Sequence, residues 1–397
     1  MNLEGNPLIT PGQEKFLTYY HRELTYLRHA GQEFSQKYPK IARRLQLGTE
    51  SPDPHMERLL ESFSFLTARL SQEIDDRLPQ ISSALLSILY PYLVLPVPSM
   101  SIAQFIADPT KGKLTTGALV AKHTPLFTYA EEGVSCRFRT SYPVTLWPIM
   151  VVSAEFIEAE NYIFSNTTRL TPWYLRLRLK VDGLDFSDLD LTTLRFHIAG
   201  DRGTTFHLYD MLCAQSDIQV LTSTQGNILR PLPAGCFKPV GFQMDEGILP
   251  SPAHAHPAYQ MLHEYFHFPE KYLFFDINNL DFKDGDEYVD ILISISDPWE
   301  IDKMAVSADN FKLGCTPIVN LFPKTTDPLR LDHKKFEYRL VADQRRERTT
   351  EIYSIDRVSL SPESNGPSEN IVPYFSFDHG AYENKPEISW LSRRVSS

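Results

Sequence analysis

The sequence predicts an α+β protein: an N-terminal helical region, then mostly antiparallel β-rich domains with a few inserted helices. Three observations carry this. Apolar residues recur every three or four positions up to about residue 98. From residue 99 the pattern changes to short β-branched and aromatic runs separated by Gly, Pro, Asn and Asp. Within that second part, helical spacing returns in only two places. The expected organisation is a helical region over 1–98, a β-rich region over 99–300 and a further β-rich region over 301–397.

The first helix is expected over residues 11–38, with Phe16, Tyr20, Leu24, Leu27, Phe34 and Tyr38 on one face. Pro39 stops it, and a short helical piece, Lys40 to Leu47, leads to Gly48. Residues 53–105 then form a dense block. Met56, Leu59, Leu60, Phe63, Leu66, Leu70 and Ile74 share one helical face. Pro79 suits the first turn of a second helix carrying Ile81, Leu85, Leu89, Tyr92 and Leu93. Pro91, Pro96 and Pro98 force an extended exit into Met100–Phe105. Periodicity alone makes this block a helical hairpin stacked on a β domain.

Strands are expected at 101–106, 134–140, 144–157, 175–181, 194–198, 218–222, 272–277 and 288–294. The two inserted helices are Thr205 to Cys213, after the Gly200-Asp201-Arg202-Gly203 turn, and Ala258 to His267, closed by Pro269. Residues 361–370 (SPESNGPSEN) read as an exposed linker or loop.

Composition narrows the function classes. With 39 Lys plus Arg against 50 Asp plus Glu, the formal charge is −11. Nucleic-acid binding needs a basic face to displace counterions, and this balance argues against it. The local cluster Arg345, Arg346 and Arg348 is flanked by Asp343, Glu347 and Glu351 and reads as a solvated loop. No secretory signal opens the chain, and its longest apolar stretch, Ala84 to Val97, is broken by Pro91 and Pro96. The expectation is a cytoplasmic protein without membrane insertion. Cys136, Cys213, Cys236 and Cys315 lie far apart without Cys-x-x-Cys spacing, which suits buried reduced thiols.

One motif suggests catalysis. His263-Glu264-Tyr265-Phe266-His267 matches H-E-x-x-H, in which two imidazoles one helical turn apart bind zinc and the glutamate activates water. His254 and His256 lie upstream, and Glu287 lies at the distance of a third ligand. Against this stand a short apolar helix closed by Pro269, and a strand directly afterwards with no second helix to present Glu287. Ordinary helix histidines are the favoured reading. A zinc-dependent metallohydrolase using His263, Glu264 and His267 is the alternative. Gly200-Asp201-Arg202-Gly203 lacks a phosphate-binding fingerprint and reads as a turn, and Asp75-Asp76 reads as solvated surface. No catalytic residue, metal ligand or cofactor is assigned.

The wording of several segments resembles a family. ERLLESFSFLTARL (57–70) followed by LLSILYPYLVLPVPSMSI (85–102) is similar to the N-terminal signature of the TssF (VasA, ImpG) family. RTSYPVTLWPIMV, LRFHIAGDRGTTFHLYDML, PVGF, FPEKYLFFDINNL and LGCTPIVNLFPK follow in the family's order, so the resemblance covers nearly the whole chain. It departs at the end: family members typically continue well past the segment similar to ISWLSRRVSS, so 301–397 is expected to be truncated.

The resemblance implies a non-enzymatic component of the bacterial type VI secretion baseplate wedge, with no cofactor. Its implied partners are TssG, a second copy of TssF, TssK and TssE. The implied location is the cytoplasmic face of the inner membrane, where the baseplate supports assembly of the contractile sheath and tube for effector delivery. The helix faces of residues 11–93 are the expected partner-packing surface.

Overall fold

The computed structural model describes residues 11–44, 54–108, 114–129, 135–158, 163–164, 171–213, 218–225, 228–251, 255–295, 304–332, 334–347, 349–361, 368–374, 388–392 and 394. The chain divides into a unit over Met1–Val94 and a second over Leu95–Ser397.

The first unit is a helical hairpin of α1 (Pro11–Lys37) and α3 (Pro54–Leu89), with the short α2 (Pro39–Arg44) between them. Pro54 and Pro39 open their helices, where a missing N–H costs nothing, and Glu57 lies in the first turn of α3 where the dipole favours it. The predicted pair of helices in 53–93 is a single 36-residue helix running through Pro79. Proline there removes one hydrogen bond from the ladder, and the good helix formers on either side carry the helix across that gap. The hairpin partner of α3 is α1. Phe16 meets Phe65 edge-on at 5.0 Å, the Tyr19 hydroxyl donates to Asp75 at 2.8 Å, and Arg28 pairs with Glu57. These contacts run the two helices antiparallel.

The second unit is a stack of sheets. Its strands begin with β1 (Met100–Gln104), β2 (Ala118–Val120), β3 (Pro125–Tyr129), β4 (Ser135–Thr140), β5 (Val144–Leu146), β6 (Ile149–Glu158), β7 (Ile163–Phe164) and β8 (Trp173–Val181). After β9 (Thr193–Ile198) and helix α4 (Arg202–Cys213) come β10 (Val220–Gln225), β11 (Ile228–Pro231) and β12 (Phe237–Val240). Helix α5 (Pro257–His267) precedes β13 (Phe274–Asn278), β14 (Tyr288–Ile295), β15 (Phe311–Leu313) and β16 (Cys315–Val319). The expected single run 144–157 is two strands, because Trp147-Pro148 lies between β5 and β6 and proline cannot donate to a ladder.

A six-stranded sheet has the order β6-β8-β14-β10-β11-β7, antiparallel except for the β11–β7 edge. A four-stranded sheet, β12-β13-β9-β15, shares its core. Strand periodicity builds that core. Leu175, Leu177, Leu179 and Val181 of β8, with Val289, Ile291, Ile293 and Ile295 of β14, all enter it from one face. Tyr174 and Leu292 point the other way, into a second cluster with Leu221 and Leu229. The four-stranded sheet answers with stacked rings: Phe196 on Phe275 at 5.2 Å and Phe237 on Phe275 at 4.9 Å.

Beyond residue 300, β15 bonds to β9, and β16 bonds to β1 and β4. The sheet β1-β16-β4-β3 is thus closed by its last strand in sequence. A smaller sheet follows, formed by Val358–Leu360, Glu369–Pro373 and Ser389–Trp390. The segment expected as a linker, 361–370, supplies part of its middle strand; residues 362–367 lie outside the described residues.

Candidate functional site

The H-E-x-x-H motif occupies the second half of α5. His256 caps the helix by accepting from the Ala258 N–H at 3.2 Å, and Pro257 occupies the first turn. The two motif histidines do come together. Their rings lie 4.5 Å apart, and His267 Nδ1 sits 2.8 Å from the His263 carbonyl oxygen. Burial and the neighbouring His267 hold the His263 pKa below its ordinary value.

Glu264 turns the opposite way. It is fully buried and accepts from the Ile248 N–H at 2.8 Å, the Leu249 N–H at 2.9 Å and Gln260 Nε2 at 3.2 Å, while its second oxygen pairs with buried Lys271. Four donors therefore use the carboxylate that a hydrolase would aim at a metal-bound water. Glu287 pairs with Lys180 on the six-stranded sheet at 3.0 Å. His254 lies outside the described residues. Among the described residues, no group of three or more His, Cys, Asp or Glu could hold a metal ion.

The other sequence candidates are also in structural use. Asp201 caps α4, accepting from the Thr204 N–H at 2.9 Å, and Gly200 turns at φ 140° where an added Cβ would meet Asn310. Asp75 and Asp76 bind Tyr19 and Lys15. Arg345 and Arg346 lie in an exposed turn that Asp343 caps; Arg348 is outside the described residues. None of the four cysteines is in a disulfide; Cys236 and Cys315 are buried as expected, whereas Cys136 and Cys213 are only partly buried. Burial pushes Cys213 up to about 12 and Cys315 up to about 11, far from thiolate chemistry at neutral pH. Among the described residues no helix is long and apolar enough to cross a membrane.

What the sequence did not reveal is which surfaces stay open. On α3 the fully buried residues are small, Ser64 and Ala68, while Phe65 reaches Phe16 of α1 from a half-exposed position. The large apolar stripe Leu59, Phe63, Leu66, Leu70 and Ile74 faces outward, each residue more than half exposed. Among the described residues of this unit, the buried apolar side chains are Leu24, Ala42 and Ala68. A second apolar surface lies on α5, where Tyr259, Leu262, Tyr265 and Phe266 are exposed beside Phe242 and Met244. Periodicity identifies an apolar stripe but not what covers it, so the α3 surface was legible as a face and not as an open one. A cleft of about 400 Å³ adds a third feature, lined by the Arg195–Asp276 pair, Trp147, Met150 and Phe311.

Fold and surface together define an α+β protein made of a β scaffold and a helical hairpin, with apolar side chains exposed on both. The comparisons agree with that class. The type VI secretion system TssF family model matches residues 12–397, and the chain belongs to this family. It is 29% identical over 390 residues to the type VI secretion system component TssF1 of Pseudomonas aeruginosa, covering 96% of this chain and 63% of that protein. It also resembles a chain in the solved type VI secretion TssK-TssF-TssG baseplate subcomplex. There the TM-score is 0.64 and the identity 29%, over 82% of this chain and 60% of that one. The chain thus spans less than two thirds of the length of these relatives.

Proposed function

We propose that the chain is a structural component of the type VI secretion baseplate wedge, without enzymatic turnover. In this reading it pairs with TssG, joins TssK, TssE and a second TssF copy, and works at the cytoplasmic face of the inner membrane. There it supports assembly of the contractile sheath and tube. Family membership and the likeness to the TssK-TssF-TssG subcomplex support the assignment.

The physical observation that carries it is the outward stripe of α3. A soluble monomer rarely leaves so long an apolar row in water. Here it runs along one helix from Leu59 to Ile74, with Leu85 and Leu89 exposed further on. Two long helices with so few buried apolar side chains among the described residues gain little stability from each other. Burying the stripe against partner helices supplies the missing apolar area, as in an obligate interface. The spacing of three and four residues suits helices packed side by side.

The test is co-expression with TssG and TssK, followed by affinity capture of this chain. Retention of TssG is expected, and its absence would overturn the wedge assignment. Leu66→Glu with Leu70→Glu should abolish retention while preserving the fold of the β unit. Undiminished capture by that variant would move the interface off α3 and leave the baseplate assignment intact.

A further inference from the structure

The buried environment of Glu264 has no part in the wedge assignment, and its geometry points to a conformational latch. We propose that Glu264 pins the strap formed by residues 241–250 to α5, and that releasing this pin frees the strap without unfolding the sheets.

The strap is also held by its buried Ile248 and Leu249, which pack with Phe268 and Val319, and by Lys122 Nζ, which donates to the Asp245 carbonyl at 2.5 Å. The strap contains a single short helical turn, Met244–Glu246, and no ladder bonds beyond β12. Two carboxylates bind its backbone N–H groups. Glu246 folds back on its own segment, accepting from the Gly241 N–H at 2.7 Å and the Gln243 N–H at 2.9 Å. That contact shapes the strap internally but ties it to nothing else. Of the two, Glu264 makes the external connection, because it takes the N–H groups of both Ile248 and Leu249 while sitting on a different element. Gln260, one turn earlier on α5, donates to the Leu249 carbonyl at 2.6 Å and to Glu264 as well.

Lys271 completes the pin. Its side chain is 1% exposed and its ammonium pairs with Glu264, whose side chain is 0% exposed. Such a pair gains little over an apolar isostere, yet losing one partner strands a buried charge. Strap, helix and the 269–272 turn therefore meet at one carboxylate, and its contacts are made together or lost together. This is the behaviour expected of a two-state element.

The latch also sets a surface. With the strap closed, Phe242 lies 5.0 Å from Tyr272, which lies 6.0 Å from Tyr265, itself 5.6 Å from Phe266. Phe242 belongs to the strap and the other three rings do not. An open strap breaks this row at its first member. Gly241 sits at the hinge end with φ 108°, a conformation that a side chain rarely adopts, and an added Cβ would press on the Lys271 carbonyl.

Hydrogen exchange on the full chain tests the latch. Glu264→Gln keeps the shape and removes the charge. It should speed exchange of the Ile248 and Leu249 amides by about 10- to 100-fold, the loss expected for hydrogen bonds to a charged acceptor, with β9 and β13 unchanged. Adding Lys271→Met to this variant should return part of that protection by removing the stranded ammonium. Unchanged exchange at Ile248 and Leu249 would overturn the latch. Equal acceleration in β9 and β13 would do so too, since the strap would then open only with the whole core. If Glu264→Gln does not fold, exchange of the unmodified chain across low denaturant decides the matter. The strap amides must then open below the denaturant concentration that opens β9 and β13, and a single shared transition would refute the proposal.

Discussion

Ala68 and Leu70 stand two residues apart on α3 with opposite surroundings: Ala68 is fully buried against α1, whereas Leu70 is 59% exposed. Two helical steps turn the side chain through about 200°, so the pair marks the two faces of one helix. The close-packed face is the one with small residues, Ser64 and Ala68, which let the α1 backbone approach. The large apolar residues Leu59, Phe63, Leu66, Leu70 and Ile74 are on the open face, while Phe65 reaches a ring of α1, Phe16. Hydrophobic size and burial are thus inverted along this helix, which is the pattern of a surface awaiting a second layer.

Substitution on the two faces should separate them. Ala68→Leu inserts three carbons where α1 leaves no room and should destabilise the hairpin by about 1–3 kcal/mol. Leu66→Ser with Leu70→Ser should change the stability of the isolated chain by less than about 1 kcal/mol, since both sites are solvated. Thermal melts followed by far-ultraviolet circular dichroism compare the two. A larger loss for the serine pair than for Ala68→Leu would contradict the assignment of faces.

The H-E-x-x-H helix gives the reverse of a zinc-peptidase mutational pattern. His263→Ala and His267→Ala should each cost under about 1 kcal/mol, because these rings contact mainly each other and a backbone carbonyl. Glu264→Ala should cost about 3 kcal/mol or more, since it leaves Lys271 buried and unpaired. Added zinc should leave the melting temperature unchanged, and about one equivalent of tightly held zinc after dialysis would overturn this reading.

The strands were legible because period-two alternation is a local property. Val289, Ile291, Ile293 and Ile295 announce both a strand and its buried face, and the structure uses them so. The expected turn Gly200-Asp201-Arg202-Gly203 was legible only in its first half, because Asp201 caps α4 and Arg202 and Gly203 already belong to that helix. Helix count in 54–89 was not, because proline is compatible with both a start and an interior position when its neighbours favour helix. Nor could the sequence orient the α3 stripe. Covering an apolar face depends on distant residues, and here those that pack on α3 select its small-residue side. The role of Glu264 was hidden similarly: its partners at 248 and 249 lie 16 and 15 residues away in sequence.

Two arginine–carboxylate pairs join strands at directly facing positions, Arg178 with Asp290 and Arg195 with Asp276. Each is bidentate, with contacts of 2.8 and 2.8 Å in the first and 2.7 and 2.8 Å in the second. Arg195 is the less exposed arginine, at 25% against 41%. Arg195→Met should therefore cost more than Arg178→Met, about 2 kcal/mol against about 1 kcal/mol. Urea unfolding at low and high salt checks both, with the Arg178 pair the more salt-sensitive. Equal costs and equal salt sensitivity would show that exposure does not set the strength of these pairs.

His197 makes stability depend on mildly acidic pH. It lies on β9 against Phe274, ring centroids 4.5 Å apart, with Nε2 buried and unpartnered. Burial lowers its pKa to about 4, and a hydrogen bond to the Glu270 backbone only partly opposes this. In the unfolded chain the ring titrates near its ordinary value, about 6.5. Between these two values the unfolded chain takes up a proton that the folded chain refuses. Stability is therefore fully present above about pH 6.5 and declines as pH falls toward 4, by about 3 kcal/mol at 1.36 kcal/mol per unit. Carboxylates titrate over part of the same range, so the measurement is a comparison of urea unfolding for the unmodified chain and His197→Gln from pH 7 to pH 4. The stability advantage of the histidine should shrink steadily across that interval and level off below it. Parallel pH profiles for the two proteins would show that the ring gains no proton on unfolding.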